Sequence, residues 1–162
     1  MRPLLATAAA LVLTASASAA PPRAGLVIPG RSFGGLSLGA TREQVRAAWG
    51  NGFGVCRDCR AQTWYFNYRP LEPQGVGVSF HRGRATALFT VWSPRGWRTS
   101  RGLEIGDPVA RMAGLYGPLL RSSCGTYSVS TLRRGRTTTA FYVVDERIWG
   151  FGLSSRGQRV CR

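Results

Sequence analysis

The residues best equipped for chemistry are a serine, an aspartate and the single histidine. Ser37 lies in Gly35-Leu36-Ser37-Leu38-Gly39, a G-x-S-x-G pattern, and Asp58 and His81 follow it in the order of an α/β-hydrolase triad. A nucleophile elbow, however, sets its serine between a buried strand and a helix that begins at once. Here the helix cap falls later, at Thr41, and the chain is short for that fold. Gly50-Asn51-Gly52-Phe53-Gly54 has the glycines of a phosphate cradle, but it follows a helix where a cradle should precede one. The seven carboxylates are scattered among turns and caps and form no acid/base pair. A small serine hydrolase is thus a remote alternative, no catalytic residue is assigned, and neither a cofactor nor a metal is expected.

Four cysteines, Cys56, Cys59, Cys124 and Cys161, offer a second kind of chemistry. A redox Cys-x-x-Cys opens a helix in a βαβ pattern, whereas Cys56-Arg57-Asp58-Cys59 follows a helix. The gap from Cys124 to Cys161 has no zinc-ribbon spacing. An even cysteine number in an exported chain favours two disulfides, with Cys56 joined to Cys59 and Cys124 to Cys161. By loop entropy the first contributes about 2 kcal/mol and the second about 4 kcal/mol, so only the longer loop is a substantial staple.

Binding chemistry comes from arginine and tryptophan. The chain has 22 basic and 7 acidic residues, and every basic residue is arginine. Without Arg2, which lies in the leader, the balance is 21 − 7 = +14. Guanidinium groups grip phosphate and carboxylate through two parallel hydrogen bonds, so an anionic polymer is a natural alternative partner. The densest cluster is Arg133, Arg134 and Arg136 in a turn. A lysine-free, Arg-, Ala- and Gly-rich chain also fits simple compositional bias, and no nucleic-acid-binding signature accompanies the charge. Trp64, Trp92 and Trp149 fall in or beside expected strands and are the candidate anchors for a protein partner.

These residues must be positioned by a chain that looks built twice. Residues 35–50 return in degraded form as residues 102–117, with Gly35/Gly102, Leu36/Leu103, Gly39/Gly106 and Gly50/Gly117 identical. Leu38/Ile105, Val45/Met112 and Trp49/Tyr116 keep apolar character, while Glu104 stands where Ser37 stood. Each copy predicts one amphipathic helix, at 42–49 and 108–116. The first opens on a Thr41/Gln44 capping box and the second on Asp107 with Pro108 at its first position. Val45, Trp49, Met112 and Tyr116 should then face one shared core. Alternating segments follow at 62–68, 76–80 and 85–92 in the first half, and at 126–131, 137–144 and 148–154 in the second.

The expected fold is α+β, two tandem helix-plus-three-strand antiparallel meanders sharing a curved sheet or core. Residues 34–93 form the first unit, 94–100 the junction and 101–162 the second. Residues 1–19 read as a secretory signal peptide, with one basic residue, an apolar stretch and small residues ending at Ala19. Residues 20–33, rich in Pro and Gly, read as a tether. No later run reaches the roughly 18 apolar residues of a membrane span, so a soluble secreted, periplasmic or cell-envelope protein is expected.

The L-x-L/I-G lead-ins (Leu36 to Gly39, Leu103 to Gly106), the capped helices ending in Trp49-Gly50 and Tyr116-Gly117, and the meanders resemble the β-lactamase inhibitor protein fold. They also resemble the single-unit small lipoprotein of the outer-membrane barrel-assembly machine, although the lipid-anchor cysteine of that protein is missing. The resemblance implies one curved antiparallel surface that grips a partner protein, and it carries over no contact residue. The function expected is that of a secreted, non-catalytic binding protein, a protein-binding or inhibitor-like module with an unidentified protein partner. The alternative is an Arg-rich binder of anionic envelope polymers. Nonreducing peptide mapping should recover Cys56–Cys59 and Cys124–Cys161 peptides; a peptide joining either of the first pair to either of the second would refute the pairing.

Overall fold

A computed structural model describes residues 24–162; the expected leader at 1–19 lies outside the described residues. Among the described residues eleven strands accompany two helices of eight residues each, so this part of the chain is mostly β. Eight strands form one antiparallel sheet in the order β3-β4-β5-β6-β11-β10-β9-β8. Its first half comprises β3 (Gly54–Cys56), β4 (Gln62–Asn67), β5 (Gly75–His81) and β6 (Arg84–Val91). The second comprises β8 (Leu120–Ser123), β9 (Ser128–Arg134), β10 (Thr137–Val144) and β11 (Arg147–Ser155). The halves join where β6 pairs with β11, Leu88 opposite Leu153.

The expected α+β tandem of helix-plus-three-strand units is overturned by this sheet. The missed strands, β3 and β8, are short outer strands, and β8 is exposed along its whole length. A strand with no buried face shows no apolar alternation, so period-2 patterning cannot reveal it. Short strands also run through residues expected as tether and junction. β1 (Gly25–Ile28) pairs antiparallel with β2 (Ser32–Phe33) and parallel with β7 (Trp97–Thr99), making a second, three-stranded sheet. Pro29 and Gly30, taken as marks of a tether, turn the chain between β1 and β2, and Val27 and Phe33 are fully buried.

α1 (Arg42–Trp49) starts on the capping box: the Thr41 hydroxyl accepts from the Gln44 amide, and the Thr41 amide donates to the Gln44 side chain. α2 (Val109–Tyr116) begins differently from the expectation. Pro108 is its cap and makes no side-chain cap bond, while the Asp107 carboxylate accepts from the Glu104 amide at 2.8 Å and pairs with Arg111 at 3.3 Å. Val45, Trp49 and Met112 are buried in one core, and Tyr116 packs against its border.

That core lies on one face of the large sheet. Alternation aims Trp64 and Phe66, Val76, Val78 and Phe80, and Phe141 and Val143 to this side, where the helices and the small sheet cover them. Trp97 is its central plate. Phe33 stacks on the Trp97 ring at 4.6 Å, and a Cβ at Gly25 or Gly34 would come within 2.7 Å of ring carbons. The Trp97 indole donates to the Tyr68 hydroxyl at 2.8 Å, and the Trp49 indole to the Gly34 carbonyl at 3.0 Å. Both indole N–H groups are therefore satisfied in a dry setting. Among the described residues no helix is long and apolar enough to cross a membrane.

Trp97→Ala should cost about 3 to 5 kcal/mol in urea unfolding with the disulfides intact, since it empties the plate on which three segments rest. Leu120→Ala, on an exposed outer strand, should stay within about 0.5 kcal/mol. Similar midpoints for the two variants would remove Trp97 from the centre of the core.

Candidate functional site

Among the described residues the other face of the large sheet carries no helix. It carries rings: Tyr65 from β4, Phe89 from β6, Tyr142 from β10, Trp149 from β11, and Tyr127 just before β9. Aromatic side chains on this face need room to lie across neighbouring strands, and glycine makes it. A Cβ at Gly77 would stand 2.4 Å from the Phe89 ring, and one at Gly152 would stand 2.5 Å from the Tyr142 hydroxyl. Between the rings lies a groove of about 810 Å³, also lined by Asn67, Thr90, Val91, Trp92 and Arg162. That size falls within the range of about 300 to 1,000 Å³ usual for ligand sites.

The C-terminal segment crosses this face. Arg156 donates its amide to the Arg136 carbonyl at one end of the sheet, and Cys161 is joined to Cys124 at the other. Val160 packs against the cluster of Val129, Ala140, Tyr142 and Phe89 on the way. The Tyr127 hydroxyl donates to the Arg162 carbonyl at 2.7 Å and accepts from its amide at 2.6 Å. The Arg162 guanidinium thereby lies 5.0 Å from the Phe89 ring centre, and among the described residues it is the one charged side chain lining the groove.

Trp92 stands at the mouth. It is 59 % exposed, directly after β6, and its backbone is left-handed with φ of 54°. A bulky residue held there is strained, and such strain persists where the surrounding structure imposes it. Trp92 meets Trp149 edge-on at 6.2 Å, and Trp149 meets Tyr127 at 5.9 Å. Burial pushes the Tyr142 hydroxyl up to about 12, against the pull of the Arg162 charge and its hydrogen bond. Burial likewise pushes Tyr68, on the opposite side of the sheet, up to about 12, offset by its bond with Trp97.

The structure therefore brings Trp92 and Trp149 together and removes Trp64 from the candidate anchors. Trp64 is 2 % exposed and stacks on Phe53 at 4.0 Å inside the core. Alternation assigns Trp64 and Tyr65 to opposite faces, but it does not tell which face is covered. Arg133 and Arg134 are exposed at the end of β9 and Arg136 in the β9–β10 turn, a strand length from the groove residue Val144. The cysteines are joined as Cys56–Cys59 and Cys124–Cys161. Ser37 and Asp58 are exposed in separate loops, and His81 is exposed at the end of β5. Tyr65, Phe89, Tyr127, Tyr142 and Arg162 were missed, although the alternating small residues Gly75, Gly77 and Ser79 were a signal in the sequence, and Gly77 lies opposite Phe89 and Tyr65.

No family model matches the chain, and no curated protein matches it. Two solved structures share its fold. One is a DUF4309 family protein, YjgB, from Bacillus subtilis subsp. subtilis str. 168, with 18% identity and a TM-score of 0.51 over 76% of this chain and 84% of that one. The other is an extracellular protein containing an SCP domain from Bacillus anthracis str. Ames, with 10% identity and a TM-score of 0.55 over 89% of this chain. The match spans half of that second protein's chain. Neither is described as a β-lactamase inhibitor protein.

The tyrosine on the groove floor makes a pH prediction. Tyr142 keeps its proton in the folded state up to about 12, while in the unfolded chain it ionises near its ordinary value of about 10. Its contribution to stability is therefore complete below about pH 10 and is lost as pH rises toward about 12. Tyr142→Phe should flatten this alkaline loss in denaturant melts. An unchanged alkaline slope would show that the Tyr142 hydroxyl is not buried.

Proposed function

We propose that this protein is an exported, non-catalytic binding protein that takes an extended apolar segment of a partner protein into the aromatic groove. The observation that carries the reading is the exposed, backbone-strained Trp92 set against Trp149 at the mouth of a ring-lined groove. Tryptophan and tyrosine supply large contact area at low entropy cost, and they dominate the energetics of protein interfaces. The groove presents six aromatic side chains and a single charge, Arg162, a lining suited to desolvated contacts rather than to proton transfer.

Export is supported from two sides. Both disulfides suit an oxidising compartment, and the Bacillus anthracis neighbour is described as extracellular. The leader-like residues 1–19 agree with this.

The experiment is crosslinking capture from the exported fraction, comparing the native chain with Trp92→Gly. Glycine suits the left-handed backbone, so the variant should unfold within about 1 kcal/mol of the native protein. Loss of an interface anchor should lower recovery of the partner by about tenfold or more. Undiminished capture by this stably folded variant would reject the groove as the binding site.

A further inference from the structure

The arginine-lined end of the eight-stranded sheet, we propose, is a docking surface for a linear phosphate polymer, separate from the aromatic groove. In the sequence the arginine clusters are far apart. The register brings them to one end. Cys56 pairs with Thr63, so the β3–β4 connection with Arg57 and Arg60 lies there. Gln62 pairs with Phe80, which places Arg82 in the β5–β6 turn and Arg84 at the start of β6 beside it. Ala87 pairs with Ser154 and Thr137 with Ser155, so Arg156, Arg133 and Arg134 at the end of β9, and Arg136 in the β9–β10 turn complete the row.

All eight of these arginines are exposed, and Asp58 is the single carboxylate in the same turns. The three ion pairs among the described residues, Arg69–Glu72, Arg111–Asp107 and Arg121–Glu146, lie at the opposite end. There the β4–β5 loop, the start of α2 and the β10–β11 turn are found, and the Val109 amide donates to the Glu146 carbonyl. Among the described residues none of the eight arginines in the row has a carboxylate partner, and the three paired arginines lie away from it. Compositional bias toward arginine explains their number but not their convergence on one end of the sheet.

The row runs from the β3–β4 turn to the β9–β10 turn across six strand spacings, roughly 30 Å at about 4.8 Å each. A line of positive charge of that length fits an extended polyanion better than a compact one. The arginines come two or three to a turn. A guanidinium fork pairs with the two non-bridging oxygens of one phosphate unit, so neighbouring arginines can engage successive units of one chain. Short hairpin turns hold the groups in place before binding, which lowers the ordering cost.

The test uses the disulfide-intact protein and long-chain inorganic polyphosphate, with affinity measured across a salt series. Arg82→Ala/Arg133→Ala/Arg136→Ala removes three charges from the row, and Arg69→Ala/Arg95→Ala/Arg98→Ala removes three charges outside it. The first variant should bind about tenfold or more weakly, with a log–log salt slope shallower by about 2, as fewer counterions are released. The second should stay within about twofold of the native chain, and so should Trp92→Gly, which separates this surface from the groove. Equal weakening by both triple variants would reduce the effect to net charge and overturn the proposal. Equal affinity for polyglutamate, or binding with no salt dependence, would overturn the assignment to phosphate.

Discussion

The packing of the Trp97 ring on Gly25, Gly34 and Phe33 is the contact on which the rest of the structure depends. Phe33 reaches Trp49 of α1 at 6.4 Å, and Trp49 reaches Phe66 of the large sheet edge-on at 5.5 Å. A chain of rings thus runs from the small sheet through the helix into the main sheet. Each ring depends on its neighbour for burial, and the close approach at Gly25 and Gly34 admits no larger residue without displacing Trp97. Because the Ser100 amide also donates to the Val27 carbonyl, the segment around β1 and that around β7 are held as one piece. The Tyr116 hydroxyl donates to Thr99 at 2.7 Å and extends the hold to α2.

Covering one face in this way leaves the other to be managed without helices. An antiparallel sheet tolerates a solvated face when that face is polar. Here it carries Phe89, Tyr142 and Val129, all nearly inaccessible, and part of their cover is the C-terminal segment fastened by Cys124–Cys161. The segment leaves the rings around Trp92 and Trp149 uncovered. The groove is therefore what remains of an apolar face after the chain has covered as much of it as that segment can reach. The disulfide that stabilises the fold also places Arg162 at the groove, so stability and site geometry share one bond.

The two proposed surfaces differ in kind and in place. The groove offers desolvated ring contacts and one cation, whereas the sheet end offers exposed guanidinium groups and almost no apolar area. Long-range attraction belongs to the second, since exposed charges act out to a Debye length of about 8 Å at physiological salt. Short-range selectivity belongs to the first. A protein held near an anionic polymer by its arginine end would keep the groove free for a partner.

The amino-acid sequence by itself determined what is local. Thr41 and Gln44 cap a helix because their side chains reach backbone groups three residues away. The alternating strands through β10 and β11 were visible because each has a buried face. Counting cysteines in an exported chain implied two disulfides, whereas the joining of Cys124 to Cys161 is decided by the fold. Other features depend on which residues meet across long separations, and these only the tertiary structure decided. Trp64 became core and Trp92 remained exposed because the helices settled on one face, a choice that period-2 patterning leaves symmetric. Strands β1, β3, β7 and β8 were hidden because three or four residues carry too little pattern. The arginines, scattered through the sequence, became a row because antiparallel pairing returns alternate turns to the same end of the sheet.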